Sequence, residues 1–202
     1  LVQRSIADRF IEAFVARTQS LTVGDPLDPA TEVGPMAFKA HQARVLDHIA
    51  RAKSEGATRL CGGQAKTDLG KGYFIEPTVF QVHSNQLSLC QEEVFGPVAS
   101  IQVFDDDEEA WSLANESRFG LVGYCWTESL ARAQAFQQQV DAGTLWINTP
   151  LARDLRAPFG GFKESGIGRD GPRQAADFFT EEKALITAVG TPPIRKLGKT
   201  SN

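Results

Sequence analysis

Side chains able to do nucleophilic, acid–base or anion-holding chemistry are few in this sequence and fall in a handful of places. Its only thiols are Cys61, Cys90 and Cys125. Their odd number and wide spacing give neither a disulfide framework nor a zinc set, so each reads as a small buried apolar residue in a reducing cytoplasm. His41 and His48 lie seven residues apart and share a helix face. A helical metal pair is more usually four apart and no carboxylate is placed to complete this one, so no metal site is expected. Glu93 and Phe95 sit in the run Glu92-Glu93-Val94-Phe95-Gly96-Pro97; on residue type alone they read as a solvated charge and a core aromatic. Arg153 and Arg156 flank Asp154 just before Phe159, and the plain reading of such arginines is a surface ion pair. Gly166-Ile167-Gly168-Arg169-Asp170-Gly171 matches G-x-G-x-x-G literally. It lacks the entering strand and the acidic residue about 20 positions on that make this pattern a dinucleotide-binding turn.

Several of these candidates belong to one stretch, Arg153 to Gly171. It holds five of the chain's 18 glycines and three arginines, without helix or strand periodicity. Long loops of this kind are uncommon in compact domains unless functional or disordered. Phe159, Phe162 and Ile167 are apolar anchors that argue against disorder. Because the loop follows the strand-like run Thr144-Leu145-Trp146-Ile147-Asn148, it begins where ligands sit in open α/β sheets.

The elements that must hold these groups are read from the apolar period. Ser5 to Asp8 fits a capping box for a helix over 6–20, and a second helix spans 37–55, with Gly56 placed to end it. A short strand over 58–62 precedes a surface loop to Gly72, and 73–82 is extended but broken by Pro77, which suggests an edge or a bend. From Val98 onward the pattern is regular: strand 98–104, helix 106–116, strand 121–126, helix 129–140, strand 143–149. Two strand–helix–strand units in a row imply a parallel sheet covered on both faces, hence an α/β fold. A short helix over 173–178 and a β-like run over 184–189 follow, and the tail over 191–202 is expected to fray.

The 202 residues suffice for one domain with a sizeable core. A net charge of −4 with no basic run argues against nucleic acid, and no apolar run is long enough for a membrane span. Met36 is the only methionine and the chain opens Leu1-Val2-Gln3-Arg4, so a stretch of a longer polypeptide is expected.

Three separated segments together resemble the NAD(P)-dependent aldehyde dehydrogenases. Glu92 to Val98 is similar to their E-x-F-G-P segment, Pro158 to Gly166 to their P-F-G-G-x-K-x-S-G loop, and Gly72 to Val79 to a G-Y-F-x-x-P-T-V run. Order and spacing agree, and the likeness extends from Leu1 to about Val189. It implies the C-terminal part of that fold. Residues 1–182 would be a partial catalytic domain with a short cofactor-facing return near 148–182, residues 183–190 an oligomerisation strand, and 191–202 a tail.

Further implications concern the site. Glu93 would accept hydrogen bonds from the nicotinamide ribose hydroxyls of NAD (NADP being possible), Phe95 would pack beside that ribose, and His41 would lie near the adenosine ribose. Phe159 would line an aldehyde tunnel. Arg153, in a setting similar to the subgroup acting on muconate-type semialdehydes, would hold a substrate carboxylate, with Arg156 its competitor. The family's nucleophilic cysteine, which forms a thiohemiacetal with the aldehyde, and its general-base glutamate lie upstream of the segment matching Leu1. None of the three cysteines has the nucleophile's setting, so no catalytic residue is expected here and this stretch alone is expected to be inactive. The implied partners are a small aldehyde and further copies of the chain, as a dimer or tetramer joined through the C-terminal strand. Two rival readings are a non-catalytic assembly or binding module, distinguished by standing alone, and an acylating relative using coenzyme A, which Arg153 does not favour.

Overall fold

Thr78–Val82 (β5) is the most deeply buried stretch of the computed structural model, which describes residues 1–150, 152–191 and 198. Its β-branched and aromatic side chains alternate, as a strand requires. Val79 points to one face, where Val2, Ala7, Cys61 and Ile101 close a core. Phe80 and Val82 join Val45, Ile49, Ala52 and Ile75 in a second core. Thr78, a polar residue buried in the core, is satisfied by the Glu76 carbonyl at 2.7 Å and the Gly63 amide at 2.8 Å.

This strand pairs parallel with Val98–Phe104 (β6) and antiparallel with Thr58–Cys61 (β2), and Val2–Gln3 (β1) pairs parallel with β6. Pro77 therefore marks a bend, and the expected edge is corrected: the strand it introduces is interior. Ahead of the bend, Ala65–Lys66 (β3), inside the stretch read as a surface loop, pairs antiparallel with Phe74–Ile75 (β4).

Two helices cover the sheet. Ala7–Gln19 (α1) lays Ile11, Phe14 and Val15 on the first core. Its start corrects the capping box: Ser5 lies in a 3-10 turn over Arg4–Ile6, and no side chain caps the helix. With β1 fixed in the sheet and Arg4 paired to Asp105, the chain enters the helix directly from a strand and leaves no extended cap position for Ser5. Lys39–Ser54 (α2) seats Val45, Ile49 and Ala52 in the second core. Gly56 ends it as expected, at φ +92°, with the Ala57 amide returning to the Ala52 carbonyl at 2.9 Å.

Beyond Ser88–Gln91 (α3) and β6 come Asp107–Asn115 (α4), Phe119–Gly120 (β7), Val122–Cys125 (β8), Leu130–Gln139 (α5) and Thr144–Ile147 (β9). Asp106 and Ser129 cap the two longer helices through the Glu109 and Arg132 amides. The second strand–helix–strand unit closes as a parallel β8–β9 pair. The first does not: the neighbours of β6 are β1 and β5, so the strands expected in one sheet fall in separate ones, because the first strand of the chain fills the place beside β6.

Phe162–Lys163 (β10) pairs with β7, and Pro172–Phe179 (α6) follows. Residues 184–189 pair with no strand among the described residues, and Leu185, Ile186 and Val189 are fully exposed. Apart from residues 191 and 198, the tail expected over 191–202 lies outside the described residues. Among them no helix is long and apolar enough to cross a membrane.

Phe80 has no exposed surface, whereas Phe178 is four-fifths exposed. Phe80→Ala is expected to cost about 3–5 kcal/mol in urea unfolding, and Phe178→Ala to stay within about 0.5 kcal/mol of the parent chain.

Candidate functional site

One side of α2 carries His41, Val45, His48 and Arg51, and against it lies the segment from Glu92 to Gly96. Arg51 grips Glu92 with both arms of its guanidinium, 3.0 Å to each carboxylate oxygen. Those bonds hold the Glu92 carboxyl below its usual range. The Nδ1 of His48 accepts from Arg51 at 2.9 Å. A Cβ on Gly96 would stand 2.7 Å from Val45, so only glycine lets the segment approach this closely. His41 Nε2 meets the Phe95 carbonyl at 2.8 Å. Past the segment, the Thr78 amide donates to the Pro97 carbonyl and ties it to β5.

Held in this way, Phe95 adopts φ +49°, a left-handed conformation that costs a bulky residue about 1–3 kcal/mol. The residue is 77% exposed, which corrects its reading as a core aromatic. Glu93 is exposed, and its carboxylate has no hydrogen bond or ion pair among the described residues. His41 and His48 are both satisfied by protein groups, and no cluster of three His, Cys, Asp or Glu suited to a metal occurs among the described residues.

The second region starts at the end of β9. Trp146 stacks on Tyr124 with ring centroids 5.0 Å apart, and its indole donates to the Ala152 carbonyl at 2.5 Å. Asn148, at φ +53°, bonds both backbone groups of Thr127 and fastens the chain where it leaves the strand. The Arg153 guanidinium then lies over the Phe159 ring, 4.5 Å from its centroid. Asp154 is not its partner. That carboxylate is taken by Arg156 through Nε at 2.9 Å and Nη2 at 2.6 Å, which holds it below its ordinary range. Arg156 is thus engaged, whereas Arg153 has no carboxylate partner among the described residues.

The rest of the loop is more built than the sequence suggests. Phe159 and Asp170 exchange two backbone hydrogen bonds, at 2.8 and 2.7 Å. Lys163 crosses from β10 to the Asn115 and Ser117 carbonyls beyond the C-terminal end of α4. Ser165 Oγ accepts from the Gly120 amide at 3.0 Å, and Arg169 donates to the Gly161 and Gly168 carbonyls. A Cβ on Gly143 would fall on the Gly160 carbonyl, so the loop presses against the start of β9. Ile167 is no anchor: it is fully exposed. The G-x-G-x-x-G match does open a helix at Gly171, but the strand before it is a two-residue antiparallel pair and Gly168 approaches nothing.

The three cysteines are unpaired, and burial pushes each thiol's pKa up, the reverse of what activates a nucleophile. Sequence reasoning missed Arg51 and Asn148, and it gave no role to Lys163 although the P-F-G-G-x-K-x-S-G match contains it. For Arg51 a signal existed, since 41, 45, 48 and 51 repeat at helical spacing; for Asn148 none did.

The fold is α/β, and it leaves the Glu93 carboxylate on one loop and the Arg153 guanidinium on another without an ion-pair partner among the described residues. The sequence model of the Aldehyde dehydrogenase family matches residues 1–185, and the chain belongs to that family. It is 40% identical over 190 residues to a betaine aldehyde dehydrogenase of Rhizobium etli, covering 94% of this chain and 39% of that protein. Among solved structures, HpcC from Thermus thermophilus superposes with a TM-score of 0.90 at 39% identity, over 98% of this chain and 39% of that one. An aldehyde dehydrogenase from Mycobacterium tuberculosis complexed with NAD+ does so with a TM-score of 0.87 at 38% identity, over 95% and 39%. The chain thus spans about two-fifths of the length of these relatives.

Because the Glu92 pKa is depressed by Arg51, the clamp contributes fully above the ordinary carboxylate range and is lost as pH falls through the lower folded value. The backbone carbon shifts of residues 93–96 should therefore depart from their neutral-pH values at acidic pH in the parent chain. In Glu92→Gln they should be displaced already at neutral pH.

Proposed function

We propose that this chain forms the C-terminal part of an enzyme that oxidises an aldehyde to a carboxylate with NAD, and that its own share is to hold cofactor and substrate. The carrying observation is the presentation of Glu93 and Phe95 on the clamped segment. A free carboxylate suits a vicinal diol because it offers an acceptor to each hydroxyl, and an exposed ring beside it restricts how a ribose can lie. Those two residues fit the ribose next to the nicotinamide. NAD, when bound, supplies the two-electron acceptor of the oxidation. The relatives solved with NAD+ support the choice of cofactor.

On the substrate side, Arg153 is a cation without a carboxylate partner among the described residues, and Phe159 is the surface that orients it. This pair favours an aldehyde that also carries a carboxylate, a semialdehyde, and disfavours the quaternary ammonium of betaine aldehyde. The upstream part of such an enzyme would provide the nucleophilic cysteine, since the thiols here are kept protonated by burial. The exposed apolar run Leu185, Ile186 and Val189 supports pairing with another copy of the chain, in a cytoplasmic oligomer.

One observation favours a second reading. With no activated thiol of its own, the isolated chain would be a non-catalytic assembly or binding module. The 202-residue chain by itself is expected to give no NADH production on any semialdehyde; sustained turnover would remove both readings of its cysteines.

In the complete enzyme, Arg153→Ala is expected to lower kcat/KM for carboxylated semialdehydes by about 10- to 100-fold, the worth of a charge-assisted hydrogen bond. Neutral aldehydes should change little. Steady-state kinetics on a matched pair of substrates decides it, and equal losses on both would remove the carboxylate role.

A further inference from the structure

We propose that His41 is a positioning residue: it donates its Nε2 proton to the Phe95 carbonyl and so fixes the left-handed backbone that carries the Phe95 ring outward beside Glu93. The proposal deepens the cofactor reading above and rests on it. It reassigns His41, which the resemblance placed near the adenosine ribose, from touching the cofactor to holding a residue that touches it.

Three features of the structure carry the argument. The segment 92–97 is fixed at both ends, by Arg51 on Glu92 and by the Thr78 amide on the Pro97 carbonyl, 2.8 Å away. Between those ends the helix-facing contacts are the packing of Val94 on the core under α2, that of Gly96 on Val45, and the 2.8 Å contact of His41 with Phe95. A carbonyl can only accept, so the Nε2 of His41 must carry the proton. Finally, Phe95 stands at φ +49°, which a phenylalanine does not adopt unless its surroundings impose it. Gly96 packing fixes where the chain passes, but not the rotation of the peptide that follows Phe95. A hydrogen bond to that peptide's oxygen does fix it. The imidazole is itself steadied, since its ring packs against Phe38 with centroids 5.7 Å apart, and the His41 amide bonds the Phe38 carbonyl at 3.0 Å.

The test uses NMR of the 202-residue chain together with cofactor kinetics of the complete enzyme. In the parent chain, the imidazole nitrogen shifts should show a proton on Nε2; a bare Nε2 with the proton on Nδ1 would overturn the proposal even if every variant failed to fold. In His41→Phe, the carbonyl and Cα shifts of Phe95 should leave their left-handed values while those of β5 stay put. His41→Gln, which keeps a donor at similar reach, should restore them. Unchanged Phe95 shifts in His41→Phe, or no rescue by glutamine in a folded chain, would overturn it. In the complete enzyme, His41→Phe should raise the KM for NAD about tenfold, the equivalent of one hydrogen bond, with a smaller change in kcat, and His41→Gln should stay within about twofold of the parent. A lost Phe95 conformation with an unchanged KM supports the tether and removes the cofactor role of the segment instead.

Discussion

Arg51 reaches from α2 to Glu92 with both arms of its guanidinium, and the site's geometry depends on that grip. An exposed ion pair contributes little to global stability. Its value here is directional, because a bidentate pair fixes orientation as well as distance. It sets where the segment 92–97 begins, β5 sets where it ends, and Val45 admits Gly96 between them. The residues in the middle are left to face outward, and Phe95 bears the backbone strain. The deeply packed β5 and the second core under α2 supply the rigid base that such strain requires.

The loop after β9 solves the same problem by different means. Its order comes from close backbone approach, with Gly143 against Gly160, and from side chains that bond carbonyls: Lys163 beyond the end of α4, Arg169 at the glycine corner. Both regions end in the same arrangement, neighbouring charges paired off and one polar group left unengaged. Glu92 is consumed by Arg51 while Glu93 is not; Arg156 is consumed by Asp154 while Arg153 is not. On the proposed function, the free carboxylate would serve the hydroxyls of a nucleotide sugar and the guanidinium over an aromatic ring the anion of an acidic aldehyde.

Much of this was legible in the sequence, unevenly. Periodicity located β6, α2 and the Gly56 stop because burial on one face and a left-handed end both leave residue-type signatures. The capping box at Ser5 failed because β1 and the Arg4–Asp105 pair override a local signal with a tertiary one. The split of the sheet was hidden for a similar reason: which strand lies beside β6 is a non-local choice. At the site, motifs pointed to Glu93, Phe95 and Arg153, but residue type could not say which arginine Asp154 would take. Nor did it reveal that Phe95 is exposed, since the cause lies in a hydrogen bond to a helix more than fifty residues earlier.

The most direct test of the central claim is the structure of the complete enzyme with NAD bound. The account predicts the hydroxyls of the nicotinamide ribose within hydrogen-bonding distance of the Glu93 carboxylate. The Phe95 ring should lie beside that sugar, with φ of Phe95 still positive. A ribose bound elsewhere, with Glu93 left to solvent and Phe95 relaxed to negative φ, would contradict it.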